Sequence, residues 1–188
     1  DMMAEVAATL AFSTIANNDK VGVIFFSDKI EKFIPAQKGK THVLHIIREL
    51  LSFEPTSTGT DMAKALQYFS NAQKRHCTAF LISDFIGVEG LEKPLMIASN
   101  RHEVNAIQIY DRRETELPNV GLVKFHDAET GQDLWVDTAV ASVREQYASE
   151  WKQNQSRIEQ LCTKTGVKRM SVRTDEDYVK ALMKLFKS

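Results

Sequence analysis

Two oxygen-bearing side chains, Thr60 and Asp84, have the chemistry and the placement to bind a metal ion together. Thr60 lies in a Gly-Thr-Asp turn that opens an amphipathic helix, and Asp84 ends an apolar strand. Because loops at the carboxyl ends of parallel strands converge on one crevice, we expect the hydroxyl and the carboxylate to meet there. Both are hard oxygen ligands of the kind that Mg²⁺ prefers, usually with some bound water. The pattern therefore predicts a divalent-metal site in a binding module.

Each candidate ligand also has a purely structural interpretation. Thr60 could be the N-cap of a helix that begins at Asp61, and Asp84 could be a turn residue that follows its strand. His42 and His45 lie three residues apart on one predicted helix, a spacing compatible with a metal pair. No third ligand is apparent near them in the sequence, so we expect surface or partly buried histidines instead.

A second candidate is the charged segment that follows the predicted strand 104–110. It consists of Asp111, Arg112, Arg113 and Glu114. Loops on a rigid scaffold commonly carry recognition, so we predict that these four residues bind a partner protein. The alternative is a solvated loop, in which local ion pairs contribute little.

Size and charge narrow the class of protein. The chain has 188 residues and a formal net charge of −1, which suits one domain with a real core and no global attraction for nucleic acid or acidic membrane. No apolar run approaches the roughly 20 residues that span a bilayer. Cys77 and Cys162 form no metal-ligand pattern, so we expect free thiols in a reducing, cytoplasmic compartment. We predict a single domain over residues 1–188.

The hydrophobic periodicity predicts strands that alternate with helices, and hence a mostly parallel sheet with right-handed crossovers. Residues 21–26 are continuously apolar, as in a strand covered on both faces, whereas residues 30–34 alternate and read as an edge strand. Gly166 is the expected C-cap of one helix, and Thr174 the expected N-cap of the next. The predicted helices span residues 2–17, 41–51, 61–74, 91–99, 140–164 and 174–186, and the predicted strands span 21–26, 30–34, 79–82, 104–110 and 167–172, with a hairpin formed by 122–125 and 134–136.

The order and spacing of these motifs resemble von Willebrand factor type A domains. The matching segments are residues 18–26, 59–61, 82–85 and 111–114. Residues 117–121 and 127–131 resemble a bacterial family of uncharacterised proteins that are often encoded beside MoxR-type AAA ATPases. The similarity covers nearly the whole chain, and the motifs are specific in combination rather than singly.

The resemblance implies a Rossmann-like three-layer sandwich with a mostly parallel sheet, an antiparallel edge strand and a metal site at its upper edge. In such domains three loops supply the ligands: an Asp-x-Ser-x-Ser motif, a Thr and an Asp. Thr60 matches the Thr and Asp84 the Asp, but the first motif has no counterpart, since no Ser-x-Ser follows Asp1. We therefore expect a fragment that lacks the central first strand and carries an incomplete site. Mg²⁺ or Mn²⁺ would bind the full-length protein rather than this fragment.

These observations predict a noncatalytic protein-binding domain with a potential metal-ion-dependent adhesion site. The resemblance implies a MoxR-type AAA ATPase, or its client, as the partner. The alternative is a scaffold of the same fold that binds partners without metal. Catalysis is disfavoured, because the sequence has neither a Gly-rich phosphate cradle nor a second Asp two residues after Asp84, and no convincing Ser/His/Asp or Cys/His arrangement. We expect neither nucleic-acid binding nor membrane insertion by this segment.

Overall fold

The strands of the protein form three separate groups in a computed structural model that describes residues 2–126 and 133–187. The first group is an antiparallel pair, β1-β2. The second is a parallel sheet in the order β3-β4-β7, and the third is an antiparallel hairpin, β5-β6. The described strands are β1 (Val21–Phe26), β2 (Ile30–Gln37), β3 (Thr78–Ser83), β4 (Glu103–Tyr110), β5 (Leu122–His126), β6 (Asp133–Asp137) and β7 (Lys168–Arg173).

The described helices lie between these strands and cover the sheets. They are α1 (Met2–Asn17), α2 (Lys40–Ser52), α3 (Met62–Ala72), α4 (Glu92–Ser99), α5 (Arg112–Thr115), α6 (Ala141–Thr165) and α7 (Tyr178–Lys187). The mixed α/β class, the parallel sheet and the antiparallel β2 are therefore confirmed.

β4 is the centre of the parallel sheet. Residues 104–109 are all buried, and Ile107 pairs with Ile82 of β3 on one side and Met170 of β7 on the other. Side chains alternate between two buried clusters: Ile107 packs with α1 and α7, whereas Ala106 packs with α3, α4 and α6. Helices thus cover both faces of this sheet, which explains why residues 104–109 of β4 are buried on both sides.

Two helices bridge the β1-β2 pair and the parallel sheet. Helix α1 places Val6 in the cluster that covers β4 and β7, and Ala11 in the cluster under β1 and β2. On the opposite face, Met62 of α3 packs with Leu81 of β3 and Phe26 of β1. Within the described residues, β1 is paired only with β2, and β3 only with β4. The hydrogen-bonded ladder is therefore interrupted between β1 and β3.

Two of the predicted helix starts are wrong. Gly39, rather than Thr41, precedes α2. Helix α7 begins at Tyr178 rather than after Thr174, and the Asp177 carboxylate accepts a hydrogen bond of 3.0 Å from the Val179 backbone N–H. The Gly166 C-cap is confirmed, since its φ of 68° is the left-handed conformation that glycine adopts without strain.

The hairpin β5-β6 carries large apolar side chains on its surface. Val123 pairs with Val136 and Phe125 with Leu134, which confirms the predicted strand pairing. Leu134 and Trp135 are 65% and 61% exposed. The predicted turn at residues 127–131 lies outside the described residues. The hairpin therefore differs from the parallel sheet, whose apolar side chains are covered by helices.

Candidate functional site

Asp84 lies in a strained turn at the carboxyl end of β3. Its carboxylate accepts hydrogen bonds from the Ile86 backbone N–H, at 3.1 Å, and from the Ser83 hydroxyl, at 3.3 Å. The next residue, Phe85, has a left-handed φ of 58° and is 1% exposed. A left-handed bulky residue costs about 1–3 kcal/mol and persists only where its surroundings enforce it. The Asp84 turn is therefore held by its environment.

Two amide side chains, one completely buried and one half-buried, supply that enforcement. The Gln108 side-chain N–H donates to the Asp84 carbonyl at 2.9 Å, and the Asn154 side-chain N–H donates to the Phe85 carbonyl at 3.2 Å. Gln108 comes from β4 and is completely buried, whereas Asn154 comes from α6. Two different elements thus hold two consecutive carbonyl groups of the turn.

Thr60 lies in a loop that ends at the start of α3, and its side chain is exposed. It is not the N-cap of that helix, so this structural alternative is wrong. Asp61 is the cap, because its carboxylate accepts a hydrogen bond of 2.8 Å from the Lys64 backbone N–H. The Asp61 backbone N–H donates to the Ser27 carbonyl at 2.8 Å, which joins the loop to the end of β1.

Carboxylates on the β1-β2 side tether the loop that precedes Thr60. Glu31 accepts hydrogen bonds from the hydroxyl and the backbone N–H of Thr56, at 2.7 and 3.1 Å, and from the Ser27 hydroxyl at 2.7 Å. These bonds, chiefly the one from the Thr56 hydroxyl, lower the pKa of Glu31. A hydrogen bond from Ser57 is the main cause that lowers the pKa of Asp28. Ionised surface groups therefore position this loop.

The two candidate ligands flank the interruption in the sheet. Met62, two residues after Thr60, and Phe85, the residue after Asp84, belong to the same buried cluster. Both loops therefore adjoin the same buried cluster. Thr60 lies at the β1 end and Asp84 at the β3 end.

The charged segment 111–114 is one helical turn, not the solvated loop considered as the alternative. The Asp111 carboxylate accepts a hydrogen bond from the Arg113 backbone N–H, and the Glu114 carboxylate accepts one from the Asp111 backbone N–H, both at 2.8 Å. This capping box engages both acids. Arg112 makes an exposed ion pair of 3.1 Å with Glu116, and Arg113 is also exposed. The arginines are the part of this segment that a partner can reach.

Glu114 lies next to the candidate site. Burial raises its pKa most strongly, and the negative charges of Asp84 and Asp111 raise it further. One of its carboxylate oxygens is buried without a hydrogen-bond partner among the described residues. Glu114 is therefore a half-buried carboxylate whose pKa is raised chiefly by its burial.

Histidines and cysteines make contacts within the protein. His42 bonds a carbonyl group of β1 at 2.8 Å, and His45 lies beside a carboxylate one turn along its own helix, as expected for structural histidines. Both cysteines are free, and Cys77 lies 3.6 Å from the ring of the buried His102. Within residues 2–126 and 133–187, no three His, Cys, Asp or Glu side chains are arranged to hold a metal ion.

Sequence reasoning missed Gln108 and Asn154. Gln108 did leave a signal, because it interrupts the apolar run of β4, and a buried polar residue in a central strand needs a hydrogen-bond partner. Asn154 lies in a helix with many polar residues, and nothing in its neighbourhood distinguishes it from solvent-facing positions.

Two solved structures share the fold of this chain. One is the conserved hypothetical protein BatB from Bacteroides thetaiotaomicron, with a TM-score of 0.53 and 17% identity over 98% of this chain and 89% of that one. The other is an aerotolerance-related membrane protein from Bacteroides fragilis, with a TM-score of 0.58, the same identity and the same coverage. Among the residues described for the present chain, no helix has the length and apolarity needed to cross a bilayer.

By sequence, this chain is related to uncharacterised proteins. One from Mycobacterium tuberculosis is 27% identical over 100% of this chain, which spans only 60% of that relative's length. One from Mycobacterium avium is 29% identical over 82% of this chain and 92% of its own length. A family model described as "Protein of unknown function DUF58" matches residues 1–157. The chain belongs to this family.

Proposed function

We propose that this member of the DUF58 family is a noncatalytic protein-binding domain in which Thr60 and Asp84 contribute to a divalent-metal-dependent adhesion site. The observation that carries the proposal is the Asp84 turn. A left-handed, buried Phe85 next to an accessible carboxylate is strain of the kind that clusters at functional sites. It lies at the carboxyl end of a parallel strand, where ligands of open α/β sheets bind.

The donor chemistry fits Mg²⁺ or Mn²⁺. Thr60 would supply a hydroxyl oxygen and Asp84 a carboxylate oxygen, both hard ligands. Two protein ligands are too few for a near-octahedral ion, so water, an upstream Asp-x-Ser-x-Ser loop and a partner's carboxylate would complete the set.

The interruption between β1 and β3 supports the same proposal. Helices α1 and α3 cover both edges of the gap, as they would in a single Rossmann-like sandwich with one further strand. Helix α1 ends just before β1 begins, so a strand that precedes α1 in the chain would run parallel to β1. Its loop would then reach the edge that carries Thr60 and Asp84.

For the partner, we propose a MoxR-type AAA ATPase or its client, on the basis of the family resemblance and in a cytoplasmic setting. The exposed guanidinium groups of Arg112 and Arg113 would contact it. Asp111 and Glu114 would act by holding this helical turn in place, since their carboxylates form its capping box.

One observation favours a metal-independent scaffold as the second candidate. The hairpin exposes Leu122 and Trp135 on one face and Leu134 on the other, each more than half accessible, and exposed apolar surface often marks protein interfaces. This candidate predicts that partner binding persists in chelator and in an Asp84→Ala variant.

The decisive experiment is a calorimetric titration of Mn²⁺ into the full-length protein, with the present chain and a full-length Asp84→Ala variant as comparisons. Binding by the full-length protein that Asp84→Ala abolishes would support the adhesion site. Equal binding by wild type and variant would place the metal elsewhere. An absence of binding to all three would favour the scaffold.

A further inference from the structure

We infer that Gln108 is a positioning residue that sets the conformation of the Asp84 turn before any ligand arrives, and that the Arg169 guanidinium in turn orients Gln108. The hydrogen bonds of the turn carry this inference. Only its consequence for metal binding rests on the proposed function.

The orientation of the Gln108 amide is dictated by its neighbours. Its side-chain oxygen accepts a hydrogen bond of 2.7 Å from the Arg169 guanidinium and one of 3.0 Å from the Ser171 hydroxyl. A guanidinium can only donate, so the oxygen of Gln108 must face Arg169. The side-chain N–H group is thereby directed to the carbonyl of Asp84, which can only accept.

The strand register explains why these groups meet. Gln108 lies opposite Ser83 of β3 and opposite Ser171 of β7, so the three side chains form one polar row across the sheet. At one end of the row, the Ser83 hydroxyl accepts a hydrogen bond of 3.2 Å from the Phe85 backbone N–H. The row therefore connects β7 to the turn through the completely buried Gln108.

The turn is consequently fixed at several independent points. Gln108 holds the Asp84 carbonyl, Asn154 holds the Phe85 carbonyl, and the Phe85 ring is enclosed in the core with Met62 and Leu81. A left-handed Phe85 needs this set of restraints, since a bulky side chain disfavours that conformation. The Asp84 carboxylate is thus presented in a preorganised direction, which lowers the ordering cost of binding a ligand.

The test is a Gln108→Glu variant, examined by amide hydrogen exchange at neutral pH. The carboxylate preserves the size of the side chain and the acceptor for Arg169, but it cannot donate to the Asp84 carbonyl. We expect the amides of Phe85 and Ile86 to exchange at least tenfold faster than in wild type. The amides of Ile107 and Val172 should accelerate far less than those of Phe85 and Ile86, which a general loss of structure would not allow.

Ser171→Ala is the matched control, because it removes a hydrogen bond to Gln108 without removing the donor to the turn. Its Phe85 and Ile86 amides should exchange at the wild-type rate. Asn154→Ala is a second, independent variant, for use if Gln108→Glu does not fold, and it lies on a helix that tolerates alanine. It should also accelerate exchange of the Phe85 and Ile86 amides.

The inference is overturned if exchange at Phe85 and Ile86 changes less than twofold in the folded Gln108→Glu variant. It is also overturned if Ser171→Ala accelerates the exchange of these two amides as much as Gln108→Glu does. If Gln108→Glu does not fold, the inference is overturned when Asn154→Ala leaves the exchange of both amides unchanged. Mn²⁺ titration of the full-length wild type is read separately. An absence of Mn²⁺ binding together with faster exchange would reject the adhesion site and leave the role of Gln108 intact.

Discussion

The two halves of the candidate site are built in opposite ways. The Asp84 turn is held from inside, by the neutral amides of Gln108 and Asn154 and by a buried Phe85. The Thr60 loop is held from outside, by the ionised carboxylate of Glu31 at the surface. Buried neutral hydrogen bonds do not depend on pH and resist exchange with water, whereas bonds to surface carboxylates depend on ionisation. The Asp84 half is therefore preformed, whereas the contacts that hold the Thr60 half depend on pH.

Position in the sheet explains the difference. Asp84 follows β3, which is paired with the fully buried β4, so groups from the centre of the fold can reach its loop. Thr60 adjoins the end of β1, whose other edge is unpaired among the described residues. Fewer buried groups are available there, and the polar side chains of the loop itself supply the contacts. A ligand that joins the two halves would order the Thr60 side more than the Asp84 side.

The largest expected contrast is between Phe85→Ala and Thr60→Ala. Phe85 is enclosed in the core, so its truncation should lower the free energy of unfolding by about 3–5 kcal/mol through lost burial and the cavity left behind. Thr60 is exposed and caps nothing, so Thr60→Ala should stay within about 0.5 kcal/mol of wild type. Urea denaturation of both variants measures the difference. Equal losses would show that the Thr60 loop is as firmly built as the Asp84 turn.

A smaller effect is expected at the cap that joins the Thr60 loop to α3. Asp61→Ala removes the acceptor for the Lys64 N–H and should cost about 1 kcal/mol of unfolding free energy. Asp61→Asn retains a capping oxygen and serves as the control. It should lose only a small part of the unfolding free energy that Asp61→Ala loses. Thermal denaturation at neutral pH distinguishes the two. A stable Asp61→Ala variant would mean that the Ser27 contact alone positions the loop.

Acid should loosen the Thr60 side selectively. The folded-state pKa of Glu31 is lowered, so its stabilising contribution is present above the unfolded pKa and is lost as pH falls through the folded pKa. In an NMR titration, the Thr56 amide signal should therefore move in this acidic window, and the Gln108 side-chain amide signals should not. Glu31→Gln should abolish the movement at Thr56. Parallel shifts at Thr56 and Gln108 would contradict the division into two halves.

The smallest expected effect is at Glu114. Its folded-state pKa is raised, so its contribution to stability is greatest below the unfolded pKa and is lost as pH rises through the folded pKa. Glu114→Gln preserves an acceptor for the Asp111 N–H and removes the charge. Relative to wild type, this variant should become more stable as pH is raised from acid to neutral. Denaturation at several pH values tests the sign of this change. If the variant instead becomes less stable than wild type as pH rises, the stabilising effect of the charged Glu114 in the capping box outweighs the cost of burying that charge.

Most of the secondary structure could be predicted from the sequence, but the N-terminal capping contacts of the helices could not. Thr174 shows why. As a residue type it is a good N-cap, yet its hydroxyl donates to the Asp111 carboxylate at 3.0 Å, across a separation of 63 residues. Local patterns identify residues able to cap a helix, whereas the choice among them depends on which partners the fold brings near.

The sequence by itself determined the periodic elements, the parallel β3 and β4, the antiparallel β2 and the left-handed Gly166, because each depends on hydrophobic spacing or on intrinsic backbone preference. Thr60 and Asp84 as metal ligands stay predictions. Only the tertiary structure decided how Asp84 is held. The three partners of Gln108 lie 24, 61 and 63 residues away in the chain, and such distant groups meet only when three strands align in register.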